Sequence, residues 1–294
     1  MIPGAAPEGK DDPRLVAFAL TLARARFAVL VPELAGMRSQ RLGAEDIGAV
    51  ADAVTCLAAR TDLAPTGRVG IAAFSYAVGP AILAALQPEV GQRVSFILAV
   101  GGYYRLRDAL TFFTTGWYRD QGVWRHRVPN EYGTWFFVQA NAGRLKDPQD
   151  GQLLAEIAER KMARPTTDVA DLAAQLGPEG RRVYAFVTNS DPSRVPELLA
   201  GLPAAVRADI AALDLADRDL SQLRARLILV HGLDDDIIPF TESVALAEAL
   251  PSGQASLFLV KGLLHVDLVP GLTDRWSFWR AAVALLRERD REGK

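Results

Sequence analysis

The chain has 294 residues, of which half are hydrophobic, and a formal net charge of −2. A chain of this size can bury one large core, or a core and a subdomain. A charge so close to zero gives no long-range attraction to nucleic acid or to an anionic membrane. The single cysteine, Cys56, excludes an internal disulfide and fits a reducing compartment.

The N-terminal region predicts neither a membrane span nor a secretory signal. Its most apolar stretch, Leu15 to Val31, is interrupted by Arg24 and Arg26. Acidic residues, Glu8 and Asp12 among them, precede this stretch where a signal peptide carries positive charge. We therefore expect a cytoplasmic protein.

Strands and helices alternate in the first hundred residues. Asp11 or Asp12 can cap a helix that starts with Pro13. After it, the patterns predict a strand at Phe27–Val31, a helix at Glu45–Arg60, an apolar strand that ends at Ser75, a helix at Ala77–Leu86 and a strand at Val94–Val100. This alternation predicts an α/β protein with a doubly wound parallel sheet.

The alternation stops between residues 105 and 219, which we call the cap segment. Prolines separate four predicted helices there, at Asp150–Met162, Thr167–Leu176, Glu179–Thr188 and Pro203–Leu213.

The first part of the cap segment is rich in aromatic residues: Phe112, Phe113, Trp117, Tyr118, Trp124, Tyr132, Trp135, Phe136 and Phe137. Such rings suit a pocket for an acyl chain or an aromatic group. From this group we single out Trp117, Tyr118 and Trp135 as substrate-binding candidates, although any one ring can equally belong to the segment's own core.

After the cap segment the alternation resumes. An apolar strand leads into His231 and the acidic run Asp234 to Asp236. A helix at Thr241–Leu250, a strand at Ala255–Val260 and a closing helix at Trp276–Arg289 follow.

Ser75 stands where a strand passes into a helix, between the small residues Ala73 and Ala77. This is the pattern of a nucleophile elbow, in which a strained turn holds the serine hydroxyl above the sheet edge. The usual flanks are glycines, and a serine at this point can also be an ordinary helix N-cap. The pattern alone therefore leaves both interpretations open.

A serine nucleophile needs a base within hydrogen-bond reach and a group that orients the base. Of the three histidines, His265 is the best base because it follows a strand and a glycine near the C-terminus. His231 is expected to be structural, and His126 to lie on the surface. The Asp234–Asp236 run, directly after a strand, offers three consecutive candidates for the acid. Asp267 is too near His265 in sequence to reach the far ring nitrogen.

Serine, aspartate and histidine in this chain order, each after a strand, resemble the α/β-hydrolase superfamily. The segment from His231 to Pro239 resembles that family's acid-strand motif, which implies Asp235 as the acid. The resemblance also implies that a helical cap at residues 105–219 interrupts a hydrolase core at residues 1–104 and 220–294.

The tetrahedral intermediate needs two backbone N–H donors. The Tyr76 amide, directly after the nucleophile, is one candidate. The resemblance implies Ala5 as the other, although this chain reads Pro3-Gly4-Ala5 where many members of the family read His-Gly-x.

The family places two or three strands before this loop, and almost nothing precedes it here. Either the sheet is cut down, or the true start lies upstream of Met1. A missing strand exposes a sheet edge, which favours association into a homodimer.

The resemblance implies a serine hydrolase that cleaves a small-molecule ester or thioester through an acyl-enzyme intermediate. The alternative is a non-catalytic binding or regulatory protein of the same fold, which the alanine flanks and the altered loop favour. We expect no metal and no cofactor. The aspartate run lacks a His/Cys cluster or Ca²⁺-loop spacing, and no phosphate-binding glycine loop occurs.

Overall fold

The computed structural model describes residues 1–4, 8–34, 36, 41–265, 267–268 and 274–292. Its helices are α1 (Pro13–Arg24), α2 (Glu45–Ala58), α3 (Val78–Leu86), α4 (Pro88–Gly91), α5 (Leu106–Thr115), α6 (Glu131–Ala142), α7 (Pro148–Ala163), α8 (Ala170–Ala173), α9 (Pro178–Val187), α10 (Val195–Gly201), α11 (Ala204–Leu213), α12 (Thr241–Glu248) and α13 (Asp274–Glu292). The strands are β1 (Val69–Phe74), β2 (Val94–Val100), β3 (Trp117–Asp120), β4 (Val123–His126), β5 (Arg226–Gly232), β6 (Ala255–Val260), β7 (Leu263–Leu264) and β8 (Asp267–Leu268).

Four of these strands form a parallel sheet in the order β1-β2-β5-β6. Parallel strands need crossover connections, which α3, the cap segment and α12 supply. The carboxyl ends of β1, β5 and β6 therefore meet at one edge. Residues that follow these strands are brought together there.

The side chains of each strand alternate between two cores on opposite faces of the sheet. Ile71, Ile97 and Leu229 pack in one core with residues of α2 and α3. Leu98 and Val230 pack in the other with residues of α1 and α13. Helices thus cover both faces, and the predicted α/β class with a doubly wound parallel sheet is confirmed.

The structure corrects the predicted strand at Phe27–Val31, because no strand is assigned there. On this side of β1 the described contacts are a single bridge between Ile2 and Ala73 and a hydrogen bond from the Met1 amino group to the Leu30 carbonyl. One bridge and one hydrogen bond do not make a ladder, so the apolar residues of this segment lie without regular pairing. The single chain does not test the predicted homodimer.

The cap segment contains α5 to α11 and the β3–β4 hairpin. It has a core of its own, built around buried residues that include Leu154, Ile157 and Phe186. Three of its predicted helices match α7, α9 and α11, whereas the predicted helix at Thr167–Leu176 shortens to α8. The exact domain boundaries stay a prediction. In the described part of the chain, no helix is long and apolar enough to cross a membrane.

Candidate active site

Ser75 occupies the sharp turn between β1 and α3. Its φ of +53° lies in the left-handed region, which a non-glycine residue adopts only where the surrounding structure imposes it. The flanking Ala73 and Ala77 are fully buried, so larger side chains have no space there. The backbone therefore has the strained turn that a nucleophile elbow requires.

His265 lies beside Ser75, with its Nε2 atom 2.7 Å from the serine Oγ. Its Nδ1 atom lies 3.0 Å from Oδ2 and 3.2 Å from Oδ1 of Asp235. Because a carboxylate can only accept, Nδ1 carries the proton of the neutral ring and Nε2 accepts from the serine hydroxyl. The ring is thus in the tautomer that a general base needs.

Asp235 is fully buried, and its carboxylate is surrounded by donors. The backbone amides of Ile237 and Ile238 both donate to Oδ1 at 2.9 Å. Burial raises the pKa of the Asp235 carboxyl, but its electrostatic interaction with His265 and the hydrogen bonds from His231 and His265 outweigh this effect. The net effect holds this pKa well below its usual range, so Asp235 stays ionised.

His231 is the second histidine at this acid and is entirely buried. Its Nε2 atom lies 2.9 Å from the Ile238 carbonyl and 3.3 Å from Oδ2 of Asp235. Both are acceptors, so Nε2 carries the proton, and Nδ1 accepts from the Ser243 hydroxyl at 2.6 Å. The sequence predicts a structural role for His231, but it does not predict the contact with Asp235.

The other sequence candidates lie apart from Ser75. His126 is exposed and packs against Trp117 at a ring distance of 4.9 Å. Asp234 is half-exposed and accepts a hydrogen bond from the Gly262 amide at 3.3 Å. Asp236 lines the cavity described below but has no described contact with either histidine.

The loop that carries Asp235 and the loop that carries His265 approach each other closely at Gly232. Gly232 ends β5, and a Cβ atom added to it would overlap with the carbonyl oxygen of Leu263. Leu263 precedes His265 by two residues, so the backbone of the histidine loop passes directly against Gly232. Only glycine leaves this space free.

Helix α3, which we call the elbow helix, begins next to Ser75. A 3₁₀ turn at Ser75–Ala77 runs into α3, and the first amides of a helix lack partners within the helix. The Tyr76 amide is the first of these after the serine. The second donor candidate, Ala5, lies outside the described residues. Its neighbour Gly4 is close to the serine, since an added Cβ would lie 3.5 Å from the Ser75 Cβ.

The side chain of Tyr76 is anchored to α2. Its hydroxyl lies 2.9 Å from Oδ2 of the buried Asp46 and 3.2 Å from the Gly43 carbonyl. Burial and the neighbouring Asp46 raise the pKa of the Tyr76 phenol well above its usual value. The tyrosine therefore stays a neutral donor that holds the start of the elbow helix in place. Neither Asp46 nor this contact was predicted from the sequence.

A cavity of about 1230 Å³ opens next to Ser75 and His265. Four aromatic residues of the cap segment line it, namely Phe113, Tyr132, Phe136 and Phe137. Most of the remaining lining is aliphatic. The site thus offers an apolar chamber with the serine hydroxyl at its wall.

Trp117, Tyr118 and Trp135, the predicted substrate-binding candidates, do not belong to this lining, and their role stays a prediction. Tyr118 packs edge-on against Phe112, and Trp117 against His126. Trp135 is buried in the core of the cap segment. Neighbouring rings of the same aromatic-rich stretch face the cavity instead, because helix periodicity turns Phe136 and Phe137 in a different direction from Trp135.

The cap segment also binds the loop that carries the acid. Nη1 of Arg127 donates to the carbonyls of Leu233 and Asp235 at 2.9 and 3.1 Å. The Asn130 amide donates to the Asp236 carbonyl at 2.8 Å. These hydrogen bonds to the carbonyls of the acid loop give Arg127 a structural role.

Serine, histidine and aspartate in one hydrogen-bonded series, at the carboxyl edge of a parallel sheet, form the arrangement on which nucleophilic acyl transfer by serine depends. Among the residues that the structure describes, no group of three or more His, Cys, Asp or Glu side chains is placed to hold a metal ion.

No protein-family model and no curated protein matches the chain. Among solved structures, the chain is similar to a meta-cleavage product hydrolase from Pseudomonas fluorescens IP01, with 17% identity and a TM-score of 0.36 over 79% of this chain and 70% of that one. It is also similar to the rice cell wall degrading esterase LipA from Xanthomonas oryzae, with 13% identity and a TM-score of 0.43 over 76% of this chain and 56% of that one. A monoacylglycerol lipase from Paleococcus ferrophilus matches with 14% identity and a TM-score of 0.41, over 84% of this chain and 76% of that one. At this level of similarity no substrate is transferred from these proteins to the chain.

Proposed function

We propose that the chain is a serine hydrolase of the α/β-hydrolase type, which cleaves a carboxylic ester or thioester through an acyl-enzyme intermediate on Ser75. The observation that carries the proposal is the hydrogen-bonded series from Ser75 through His265 to Asp235, at 2.7 and 3.0 Å. The left-handed backbone at Ser75 and the adjacent apolar cavity support it independently.

In the proposed acylation step, the Ser75 Oγ attacks the carbonyl carbon while Nε2 of His265 takes the hydroxyl proton. Asp235 stabilises the imidazolium that forms. The oxyanion receives a hydrogen bond from the Tyr76 amide, and the second donor is assigned to Ala5 by resemblance. Loss of one such donor costs about 3 kcal/mol of transition-state stabilisation.

Collapse of the tetrahedral intermediate breaks the bond to the leaving oxygen or sulfur, which takes the proton from His265. The acyl group remains on Ser75. Water then attacks the acyl-enzyme with His265 as its general base, and the carboxylic acid leaves as the serine regains its proton. Both half-reactions use the same residues in the same positions.

The test is intact-mass spectrometry after treatment with a fluorophosphonate probe, on the natural chain and on Ser75→Ala. We expect one adduct on the natural chain, mapped to Ser75, and none on the variant. Far-UV circular dichroism of both proteins checks that the variant is folded. A well-folded natural chain without an adduct would overturn the proposal and favour the non-catalytic binding protein.

A further inference from the structure

The cavity extends onto both sides of the sheet edge. One part, which we call the sheet arm, lies between the sheet and helices α1 and α13, and its lining includes Phe18, Leu98, Val100, Val230, Ala282 and Leu285. Leu98, Val230 and Leu285 are buried in the core on that face of the sheet. The sheet arm therefore enters the α1/α13 side of the molecule.

The second part, the cap arm, lies under the cap segment, and its lining includes Leu110, Phe113, Phe137, Ala140, Ile210 and Leu213. Leu110 and Phe113 belong to the core of the cap segment, whereas Leu213 belongs to the core on the α2/α3 face of the sheet. Ser75 and His265 line the same cavity as the residues of both arms. A carbonyl group at Ser75 thus has apolar surface available in two directions.

The charged groups of the lining are mostly acidic. Four carboxylates line the cavity, from Glu8, Asp12, Asp209 and Asp236. Among the described lining residues, Arg14 is the only arginine or lysine, and its guanidinium binds Asp12 at 2.8 Å. Asp209 pairs with Arg144, which lies outside the lining, so the carboxylates of Glu8 and Asp236 are the ones for which no ion pair is described. An anionic group in this cavity therefore meets an excess of negative charge, which disfavours its binding.

We propose that the substrate is an uncharged ester or thioester with apolar groups on both sides of the scissile bond, one in each arm. This inference rests on the proposed function and deepens it. The charge of the substrate and its shape are tested by separate measurements.

The charge is tested with two 4-nitrophenyl esters of equal acyl chain length, the hexanoate and the adipate half-ester with its free carboxylate. We expect kcat/KM for the hexanoate to exceed that for the half-ester at least tenfold. We expect Glu8→Gln to narrow this gap, whereas Glu89→Gln, at an exposed position of α4 outside the cavity lining, leaves it unchanged. Equal kcat/KM values for the two esters would overturn the inference.

The shape is tested by narrowing each arm at a residue that is not fully buried, with Ala282→Trp for the sheet arm and Ile210→Trp for the cap arm. Each variant is assayed on one series of esters with growing acyl chains and on another with growing alcohol chains. We expect each variant to lower kcat/KM tenfold or more for the longest members of one series only, and a different series for each variant. Far-UV circular dichroism and urea unfolding of each variant check that it is folded.

Variants that affect the same series, or neither, would overturn the two-arm substrate. These outcomes differ from a failure of the proposed function. In that case the natural chain hydrolyses none of the esters and Ser75 takes no fluorophosphonate label, whereas a wrong substrate class leaves labelling and turnover of the short esters intact.

Discussion

At the scale of single residues, several groups besides His265 hold the carboxylate of Asp235 in place. Asp235 receives two backbone amides on one oxygen and two histidines on the other. His231 is itself fixed, since Ser243 and the Ile238 carbonyl occupy its two ring nitrogens. The orientation of the carboxylate toward His265 is therefore built into the acid loop.

Replacing His231 by leucine, a side chain of similar size, tests this arrangement. The change leaves the Ile238 carbonyl and the Ser243 hydroxyl buried without their partner, which costs about 2–4 kcal/mol of stability. Urea unfolding measures the loss. Ser243→Ala removes only one of these hydrogen bonds, so we expect a loss of about 1 kcal/mol. A His231→Leu protein as stable as the natural chain would show that the ring carries no such role.

The contact between His231 and Asp235 was beyond sequence reasoning for a physical reason. The chain folds back after β5 through a turn in which the Asp235 amide donates to the Gly232 carbonyl at 3.2 Å. That turn, and not a helix or strand period, brings the two side chains together. In contrast, Ser75 and His265 follow apolar runs whose ends converge in any parallel sheet, so their neighbourhood could be predicted.

At the scale of elements, the spacing between the acid loop and the histidine loop depends on the absence of a side chain at Gly232. Gly232→Ala forces the backbone at Leu263 outward and moves His265 away from Ser75. We expect kcat/KM for an ester, and the rate of fluorophosphonate labelling, to fall about 100-fold, as displacements of about 1 Å do in catalytic sites.

Gly48 provides the matched control for this substitution. It is exposed within α2, and an added Cβ would meet nothing within 4 Å. Gly48→Ala should leave labelling unchanged and raise stability by about 0.5–1 kcal/mol, since alanine is the better helix former. Normal labelling of Gly232→Ala would contradict the proposed role of the close approach.

Glu242 joins α12 to the chain that follows β2, and it makes stability depend on pH. Its buried carboxyl group accepts hydrogen bonds from the backbone amides of Tyr104 and Arg105 at 2.9 and 2.7 Å. Burial nevertheless raises its pKa from 4.5 to about 8. The folded protein therefore keeps a proton there that the unfolded chain releases above pH 4.5, and this stabilising effect is lost as the pH rises toward 8.

Glu242→Gln removes this titration while keeping an oxygen that can accept from both amides. We expect the free energy of unfolding of the natural chain to fall relative to the variant by about 1 kcal/mol per pH unit between pH 5 and 8. Urea unfolding at several pH values measures the difference. Glu248→Gln, an exposed position on the same helix, should follow the natural chain. Parallel curves for the natural chain and Glu242→Gln would contradict the assigned pKa.

The elements themselves were predictable where burial alone decides them. The strand at Val94–Val100 has the predicted bounds because its apolar run lies inside a parallel sheet. The strand at Ala255–Val260, at the edge of the described sheet, has the predicted bounds as well. The β3–β4 hairpin was missed. It turns at Gln121 and Gly122, with φ of +49° and +81°, and Gln-Gly lacks the side chain that makes Asn-Gly or Asp-Gly a recognisable turn signal.

At the scale of the whole molecule, the cap segment packs around its own core, while two further cores flank the sheet. Residues of all three cores line the cavity. Phe137 packs against Phe113 at a ring distance of 5.7 Å and against Phe186 at 5.9 Å, and the first two of these rings line the cavity. The wall of the proposed cap arm is thus supported by the interior of the cap segment.

This organisation predicts that the cap segment opens as a separate unit of stability. Phe186 is fully buried in its core, so Phe186→Ala should destabilise that unit by about 3–5 kcal/mol. We expect amide hydrogen exchange to accelerate in α6, α7 and α9 and to stay unchanged in β1, β2 and β5. Ile97→Ala, an equally buried position in the core between the sheet and α3, should accelerate exchange in the sheet strands. Uniform acceleration across the chain in Phe186→Ala would mean that the cap segment and the sheet unfold as one cooperative body, and that residues 105–219 are not a domain.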